Sequence, residues 1–174
     1  MFRNLLFAMA GACLIAGPAA AAESATLLGV FDNWSAYSAG DGASKTCYIL
    51  SKPRAVQPRG AKRGPIFLMV SDWPARKVKA EPQIVYGYPA KEGAAGASLG
   101  IGADKFDFFM RNVNKDGSGW LQTLGDNPKL IDSMRGGVTA VAKGLSSRGT
   151  HTTDTYSLSG FSDALDKAHS ACGM

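Results

Sequence analysis

Apolar residues recur at every second position along most of this chain, and this pattern constrains its fold more than any other feature. Side chains of a β-strand point alternately to opposite faces, so a period of two predicts strands with one buried face. About eight such strands are separated by turn residues, which favours a β-sandwich or a β-barrel. The strand segments are Trp34/Ala36, 47–50, 66–70, Ile84/Tyr86/Tyr88, Ala97/Leu99/Ile101, Phe106/Phe108/Met110, Val138/Ala140/Ala142 and 152–158.

Length and composition exclude several other classes of protein. A chain of 174 residues has the size of one ordinary domain. Its hydrophobic fraction of 45% and charged fraction of 19% are those of a chain that can bury a core, not of a disordered one. The 21 glycines and 8 prolines follow no regular period, which excludes a collagen-like fibre and indicates a loop-rich globular protein.

Two segments carry helix signals instead. Pro128 fits a first helical position after Asp126 or Asn127, and Gly136-Gly137 is a stop signal, so a short helix is predicted near 128–135. A C-terminal helix is predicted near 162–171. Its apolar positions Phe161, Leu165, Ala168 and Cys172 fall on one face, which we expect to dock on the sheet.

The N-terminus is typical of a cleaved secretory signal peptide over residues 1–22. Arg3 supplies the positive charge, 5–16 is mostly apolar, and Ala20-Ala21-Ala22 fits a small-residue cleavage site. Lipidation at Cys13 is the alternative. Residues 23–174 are then predicted to form a single β-sandwich domain. No membrane-spanning segment is expected, because the apolar run 5–16 is too short to cross a bilayer and the remaining chain is too polar.

Cleavage removes Cys13 and leaves two cysteines, Cys47 and Cys172. Paired thiols in an exported protein predict a disulfide, here one that closes nearly the whole domain into a loop. On the chain-entropy model, such a loop adds about 4 to 5 kcal/mol of stability. Two buried free thiols are the alternative.

Positive charge is concentrated between Lys52 and Lys79, where Asp72 is the one acidic residue. Pro53, Pro58 and Pro65 are expected to keep the first part of this segment out of regular structure. The segment predicts a site for an anionic partner such as lipid head groups, lipopolysaccharide or acidic glycan, and a solvated loop is the alternative. The candidate binding residues are Arg54, Arg59, Lys62, Arg63, Arg76, Lys77 and Lys79.

No catalytic or metal-binding residues are predicted. Ser147, His151 and Asp154 contain the groups of a hydrolase, but His151 and Asp154 are three positions apart on one strand and therefore lie on opposite faces. The segment 112–118 resembles a calcium loop without enough carboxylates, and Asp116-Gly117 is better explained as a hairpin turn. Two histidines and two paired cysteines cannot supply a zinc site, and no cofactor is expected. Nucleic acid is not expected as a partner either.

Five segments carry a resemblance to a known family: 31–34, Cys47-Tyr48, 147–150, 154–165 and Cys172. Together they resemble the invasion-associated locus B proteins of alphaproteobacteria. The resemblance spans nearly the whole of 23–174, and its C-terminal block is the specific part. It implies an immunoglobulin-like β-sandwich in the cell envelope without enzymatic activity. Some members carry a further cysteine after the early tryptophan, whereas Trp34 is followed here by Ser35-Ala36-Tyr37, which leaves one possible bridge.

The sequence therefore predicts a periplasmic or surface-associated protein that binds a partner and does not catalyse a reaction. The partner is expected to be an envelope or surface protein, or an anionic lipid or glycan. Binding is expected to use either a strand edge or the basic segment. Two alternatives remain: an envelope hydrolase that uses His151, and a purely structural envelope subunit.

Overall fold

A computed structural model describes residues 24–174, and the predicted signal peptide therefore lies outside the described residues. Eleven strands and two α-helices make up this part of the chain. The strands are β1 Thr26–Phe31, β2 Trp34–Ala39, β3 Thr46–Ser51, β4 Ala55–Gln57, β5 Phe67–Trp73, β6 Val78–Val85, β7 Gly93–Ile101, β8 Asp104–Val113, β9 Asp116–Leu121, β10 Thr139–Leu145 and β11 His151–Ser157. The helices are α1 Asn127–Gly136, between β9 and β10, and α2 Phe161–Cys172 at the C-terminus.

All the strands pair antiparallel and form one sheet, in the order β1-β2-β3-β5-β6-β9-β8-β7-β10-β11-β4. Side chains also connect strands that are far apart in this order. Trp34 on β2 donates its indole N–H to the Ser157 carbonyl oxygen on β11, at 3.0 Å. Tyr86, just after β6, donates its hydroxyl to the Lys143 carbonyl oxygen on β10. The sheet thus folds over a shared core, and the predicted mainly β fold with a short helix and a C-terminal helix is confirmed.

Three strands lie outside the eight predicted segments. β9 follows the predicted hairpin turn, whereas β1 and β4 had no counterpart in the sequence pattern. In β1 the pairing with β2 shifts register between Leu27 and Gly29, so the alternation of buried and exposed positions is interrupted there. β4 lies in the proline-flanked part of the basic segment, where regular structure was not expected. It nevertheless pairs with β11, because the prolines stand just outside Ala55–Gln57.

The ends of other strands differ from the sequence pattern by a few residues. β6 stops at Val85, and Tyr86 and Tyr88 continue the inward alternation in the following loop. Val138 precedes β10 and is 82% exposed, so it does not belong to the apolar face predicted for it. The predicted hairpin joins β8 to β9, but its two turn residues are Asn114 and Lys115, both with positive φ, two residues before the predicted Asp116-Gly117.

Both helices begin and end within two residues of their predicted limits, and α2 buries the predicted face. Phe161, Leu165, Ala168 and Cys172 are all buried. The helix lies against β1, β2, β3 and β5. Trp34, which is fully buried, meets Phe161 edge-on at a ring-centroid distance of 5.0 Å. Aromatic packing of this kind fixes the C-terminal helix on the first strands of the chain.

The disulfide between Cys47 and Cys172 is present, as predicted. It joins β3 to the last residue of α2 across 125 residues, with a Cα–Cα distance of 5.9 Å. A second link lies one strand away. His169 Nδ1 lies 2.6 Å from Asp72 Oδ2, and the other carboxylate oxygen accepts the Ala80 N–H. The covalent and the polar link together hold α2 on β3 and β5.

Gly160, which precedes α2, has no space for a side chain. Its φ is +84°, and a Cβ there would lie 2.0 Å from the Phe31 carbonyl oxygen. We expect Gly160→Ala to lower the free energy of unfolding by at least about 2 kcal/mol, since left-handed strain and a backbone clash add. Gly173, with φ of +64° and open space around it, is the matched control. Gly173→Ala should lose only about 1 kcal/mol in urea unfolding, and equal losses would contradict the clash.

Candidate functional site

A cleft of about 470 Å³ lies where the basic segment meets the turn before β11. Its walls come from three parts of the chain: the loop after β4, the loop after β6, and the turn between β10 and β11. The lining residues are Pro58, Ala61, Lys62, Arg63, Gly87, Tyr88, Pro89, Ser146, Ser147, Arg148, Thr150 and Thr152. The cleft is therefore built from two segments that the sequence had singled out separately, the basic segment and the block 147–150.

The floor of the cleft is a buried ion pair between Arg63 and Asp154. The two guanidinium nitrogens of Arg63 donate to the two carboxylate oxygens of Asp154 at 2.7 and 2.6 Å. Its Nε and Nη2 also donate to the Tyr86 carbonyl oxygen, at 2.9 and 2.8 Å. The side chain of Arg63 is 5% exposed and that of Asp154 is fully buried. Such a two-pronged pair leaves few hydrogen-bonding groups of either partner unsatisfied.

Arg63, which the sequence predicted as a candidate binding residue, serves as an internal anchor in the structure. Its charge is already neutralised by Asp154, and its guanidinium also lies over the Tyr88 ring at 5.0 Å from the centroid. Burial of a charge is tolerated only with such pairing. The anchor holds the loop after β4 on the loop after β6, where Gly64 N–H also donates to the Gly87 carbonyl oxygen at 2.7 Å.

Tyr88 completes the inner wall of the cleft, and the fully buried Tyr86 packs against it with ring centroids 5.7 Å apart. The Tyr88 hydroxyl lies 2.6 Å from Thr152 Oγ1, and the Tyr86 hydroxyl donates to the Lys143 carbonyl oxygen. Burial raises the pKa of Tyr86 well above its usual range and also raises that of Tyr88. Both rings therefore stay neutral at physiological pH. Tyr88 contributes apolar surface rather than charge to the cleft, and Tyr86 supports it from the core.

The mouth of the cleft carries free positive charge. Lys62 and Arg148 are exposed, and neither forms an ion pair with any residue in 24–174. The turn that carries Arg148 is fixed by Ser146, whose side-chain oxygen accepts the Thr150 N–H, and by the Ser147 N–H, which donates to the Pro89 carbonyl oxygen. Two unpaired cations on ordered loops, with the Ser147 and Thr150 hydroxyls between them, suit an anionic ligand.

The other predicted basic residues fall into two groups. Arg54 and Arg59 are exposed on either side of β4, close in sequence to the cleft. Arg76, Lys77 and Lys79 lie at the hairpin between β5 and β6, where Arg76 covers the Trp73 ring. Tyr86 lies at the opposite end of β6. With a strand rise of about 3.3 Å per residue, it is roughly 20 Å from these three residues. We therefore define the basic rim as Arg54, Arg59, Lys62 and Arg148.

Arg148 was not among the candidate binding residues, although the sequence contains it in the block 147–150. Charge density along the chain did not single it out, because its neighbours are neutral. It joins the basic rim only because the turn between β10 and β11 packs beside the loop after β6. The Asp72–His169 pair was missed for a similar reason, since 97 residues separate its members.

His151 lies on the outer face of β11, and Asp154 points to the opposite, buried face. Gly96-Ala97-Ser98-Leu99-Gly100 has the spacing of a hydrolase nucleophile motif, but Ser98 lies in the middle of β7 and not at a strand-to-helix turn. β10 separates β7 from β11, so Ser98 and His151 are about 10 Å apart by strand spacing. Within the described part of the chain, neither side chain has a hydrogen bond, and proton transfer needs one.

Residues 24–174 contain neither a cluster of metal-ligating side chains nor a helix that could span a membrane. No three His, Cys, Asp or Glu side chains of residues 24–174 come together as a metal site requires. Asn112, in the segment that resembles a calcium loop, uses its side chain to bind the Ala90 backbone and Glu92. Neither α1 nor α2, the α-helices of residues 24–174, is long and apolar enough to cross a bilayer.

Comparison with known proteins gives one family and one fold. The family model described as "Invasion associated locus B (IalB) protein" matches residues 34–169. A search of curated proteins gives no match. Among solved structures, the chain is similar to the crystal structure of invasion associated protein B from Bartonella henselae, with a TM-score of 0.58 and 12% identity. The alignment covers 84% of this chain and 98% of that one, and at this identity it shows the fold alone.

Proposed function

Because the chain belongs to the invasion associated locus B family, we propose that it is an exported envelope protein that binds an anionic partner through the basic rim. In this proposal residues 1–22 are a cleaved signal peptide and residues 23–174 form one domain in the periplasm or at the cell surface. The long-range disulfide supports export, since such bonds persist in oxidising compartments. The protein acts by binding rather than by catalysis.

The observation that carries the proposal is unpaired positive charge at a formed cleft, which Lys62 and Arg148 line, and on the adjoining strand β4, which Arg54 and Arg59 flank. Arg54, Arg59, Lys62 and Arg148 are exposed without an ion-pair partner in residues 24–174, whereas Arg63 beneath them is fully paired. The buried pair keeps the loop in place, and the exposed cations remain available. A solvated loop without function would not need a charge-paired anchor, since burying an ion pair adds little net stability.

The purely structural alternative would need a surface for assembly. The exposed large hydrophobic residues among those described are Leu27, Val30, Val113, Leu124 and Val138. They lie on β1, on β8 and in loops at either end of α1, so they do not form one patch. Scattered apolar residues are normal on a monomer surface, and they give this alternative no specific support.

We expect a variant with Arg59, Lys62 and Arg148 all replaced by glutamine to bind anionic probes at least about tenfold more weakly at low ionic strength. The probes are a labelled oligo-glutamate peptide and vesicles containing phosphatidylglycerol, measured by fluorescence anisotropy and by sedimentation. The loss should shrink as salt screens the interaction.

The matched control is the variant with Arg76, Lys77 and Lys79 replaced by glutamine, which loses the same charge at the β5–β6 hairpin. It should bind both probes like the unmodified protein. Equal weakening in the two variants would show that only net charge matters, and no weakening in either would show that the basic rim is merely solvated.

A further inference from the structure

The outer face of β7 carries no side chain larger than that of serine in its second half. The apolar residues between 97 and 101 point into the core, so the outward positions are Ser98 and Gly100, and Gly102 follows directly after the strand. The flanking strands β8 and β10 present longer side chains on the same face. These are Lys105, Asp107, Val141 and Lys143. The small residues therefore form the floor of an open groove between two walls.

The groove is long and narrow. It consists of two adjoining cavities of about 420 and 410 Å³, which share Ser98 and Lys143. Strand spacing of about 4.8 Å places the backbones of the two walls about 10 Å apart, and the strand rise makes the floor roughly 13 Å long from Ser98 to Gly102. His151 and Thr153 on β11 line one end. This shape suits a chain molecule better than a compact ligand.

The Ser98 hydroxyl is a polar group without a partner on the floor of this groove. The residue is 8% exposed and lines both cavities, and its side chain makes no hydrogen bond to any residue in 24–174. Buried polar side chains are normally hydrogen-bonded, and leaving one unpaired costs free energy. The hydroxyl is thus available to a ligand that reaches the floor.

The walls offer hydrogen-bonding groups of both kinds. Lys143 is exposed and forms no ion pair within the described part of the chain, so its ammonium donors are available. On the opposite wall, Lys105 Nζ lies 2.6 Å from Asp107 Oδ1, and the carboxylate keeps further capacity to accept. The hydroxyls of Ser98 and Thr153 both donate and accept. A polyanion would be repelled by Asp107, whereas a ligand rich in hydroxyl groups uses donors and acceptors alike.

We propose that this groove on the outer face of β7 binds a neutral, linear glycan chain, at a site that contains none of the basic-rim residues. The hydroxyl groups of a glycan match the mixed walls, and the glycines of the floor leave room for flat sugar rings. An extended peptide is matched less well. β7 is an interior strand between β8 and β10, so it offers no free edge, and a floor of glycine provides no pockets for side chains.

Gly100 allows a direct test, because this position has room for a side chain. Its φ is not positive, and the atoms nearest to an added Cβ are the carbonyl oxygens of Asp104 and Val141, both at the ordinary contact distance of 3.9 Å. Gly100→Tyr should therefore fold, since tyrosine favours strands, and its ring should fill the groove. Gly100→Ala is the matched control, because a methyl group leaves most of the groove open. Ser98→Ala removes the floor hydroxyl without breaking a hydrogen bond of the fold.

The probes are maltohexaose, cellohexaose and chitohexaose, titrated into the isotope-labelled protein and followed by amide chemical shifts. We expect at least one of them to shift the amides of β7 and β10 and not those of the basic rim. Gly100→Tyr should bind it at least about tenfold more weakly than Gly100→Ala does. Ser98→Ala should bind several-fold more weakly than the unmodified protein, as the loss of one hydrogen bond implies. Circular dichroism checks that each variant is folded.

The absence of shifts with every one of these glycans would overturn the proposal, and so would equal affinities of Gly100→Tyr and Gly100→Ala. Binding of a neutral serine-glycine peptide in place of the glycans would assign the groove to polypeptides instead. The variant lacking Arg59, Lys62 and Arg148 should bind the glycan like the unmodified protein. A failure of the groove therefore leaves the anionic partner of the basic rim untouched, and a failure of the basic rim leaves the groove untouched.

Discussion

Replacing Asp154 with alanine is expected to lower the free energy of unfolding by about 3 to 5 kcal/mol, because it leaves the Arg63 guanidinium buried without a counter-charge. Arg63 is 5% exposed, and the two hydrogen bonds that it would still donate both go to one acceptor, the Tyr86 carbonyl oxygen. Arg63→Ala should cost a comparable amount by leaving the Asp154 carboxylate unpaired. Urea unfolding followed by tryptophan fluorescence measures both losses.

The pair between Lys105 and Asp107 is the natural control, since it has the same 2.6 Å separation but side chains that are 65% and 70% exposed. Asp107→Ala should change stability by at most about 1 kcal/mol, and less in high salt. A double variant, Arg63→Met with Asp154→Leu, should recover most of the stability lost in either single variant, as apolar replacements of buried ion pairs do. Similar losses for Asp154→Ala and Asp107→Ala would contradict the role of burial.

The same variants bear on the basic rim. Arg63 anchors the loop that carries Arg59 and Lys62, so Asp154→Ala should weaken binding of the oligo-glutamate probe even though no exposed charge is removed. The double apolar variant keeps a filled core but loses the fork of hydrogen bonds to the Tyr86 carbonyl oxygen. This variant therefore distinguishes an effect on stability from an effect on the position of the loop. If its free energy of unfolding is restored but its binding of the oligo-glutamate probe stays weak, the anchor also shapes the cleft.

The parts of the structure predicted from the sequence are those with a local cause. The apolar stripe of α2 repeats at helical spacing, so its buried face was predicted from Phe161 to Cys172. The disulfide was predicted because the predicted signal-peptide cleavage leaves two cysteines to pair. Strand alternation likewise predicted the inner positions of most strands, since a half-buried sheet requires it.

The parts that were missed depend on contacts between distant residues. Asp154 shares the inner face of β11 with Thr152 and Tyr156, so the alternation already required a buried carboxylate to find a cation. Nothing local shows that the cation is Arg63, which lies 91 residues away. β4 was missed because a three-residue strand between prolines exists only where β11 offers it an edge.

The candidate site shows the same division. Density of charge along the chain predicted seven binding residues, and folding divides them into a group at the β5–β6 hairpin, a buried anchor and part of the basic rim. Arg148 completes the rim from a segment that is almost neutral in sequence. Charge runs therefore indicated a candidate region, but the surface of the basic rim is set by how the loops after β4, β6 and β10 pack together.

Reduction of the Cys47–Cys172 disulfide is expected to lower stability by about 3 to 5 kcal/mol. The loop it closes spans 125 residues, and on the chain-entropy model that constraint is worth about 5 kcal/mol. The melting temperature should fall by roughly 10 °C for a domain of this size. Differential scanning calorimetry with and without reductant measures the change, and the variant with both cysteines replaced by serine should melt low in either condition.

The reduced protein is expected to stay folded at room temperature, because α2 has other attachments. Phe161 packs on Trp34 at the start of the helix, and near its end His169 bonds to Asp72 while Lys45 donates to the Ala171 carbonyl oxygen.

Adding His169→Ala to the double serine variant removes a link beside the disulfide. The helix end should then fray, so amide exchange should rise from Ala168 to Met174 and stay slow near Phe161. Melting temperatures of oxidised and reduced protein that agree within experimental error would show that these contacts, and not the disulfide, hold the C-terminal helix on the sheet.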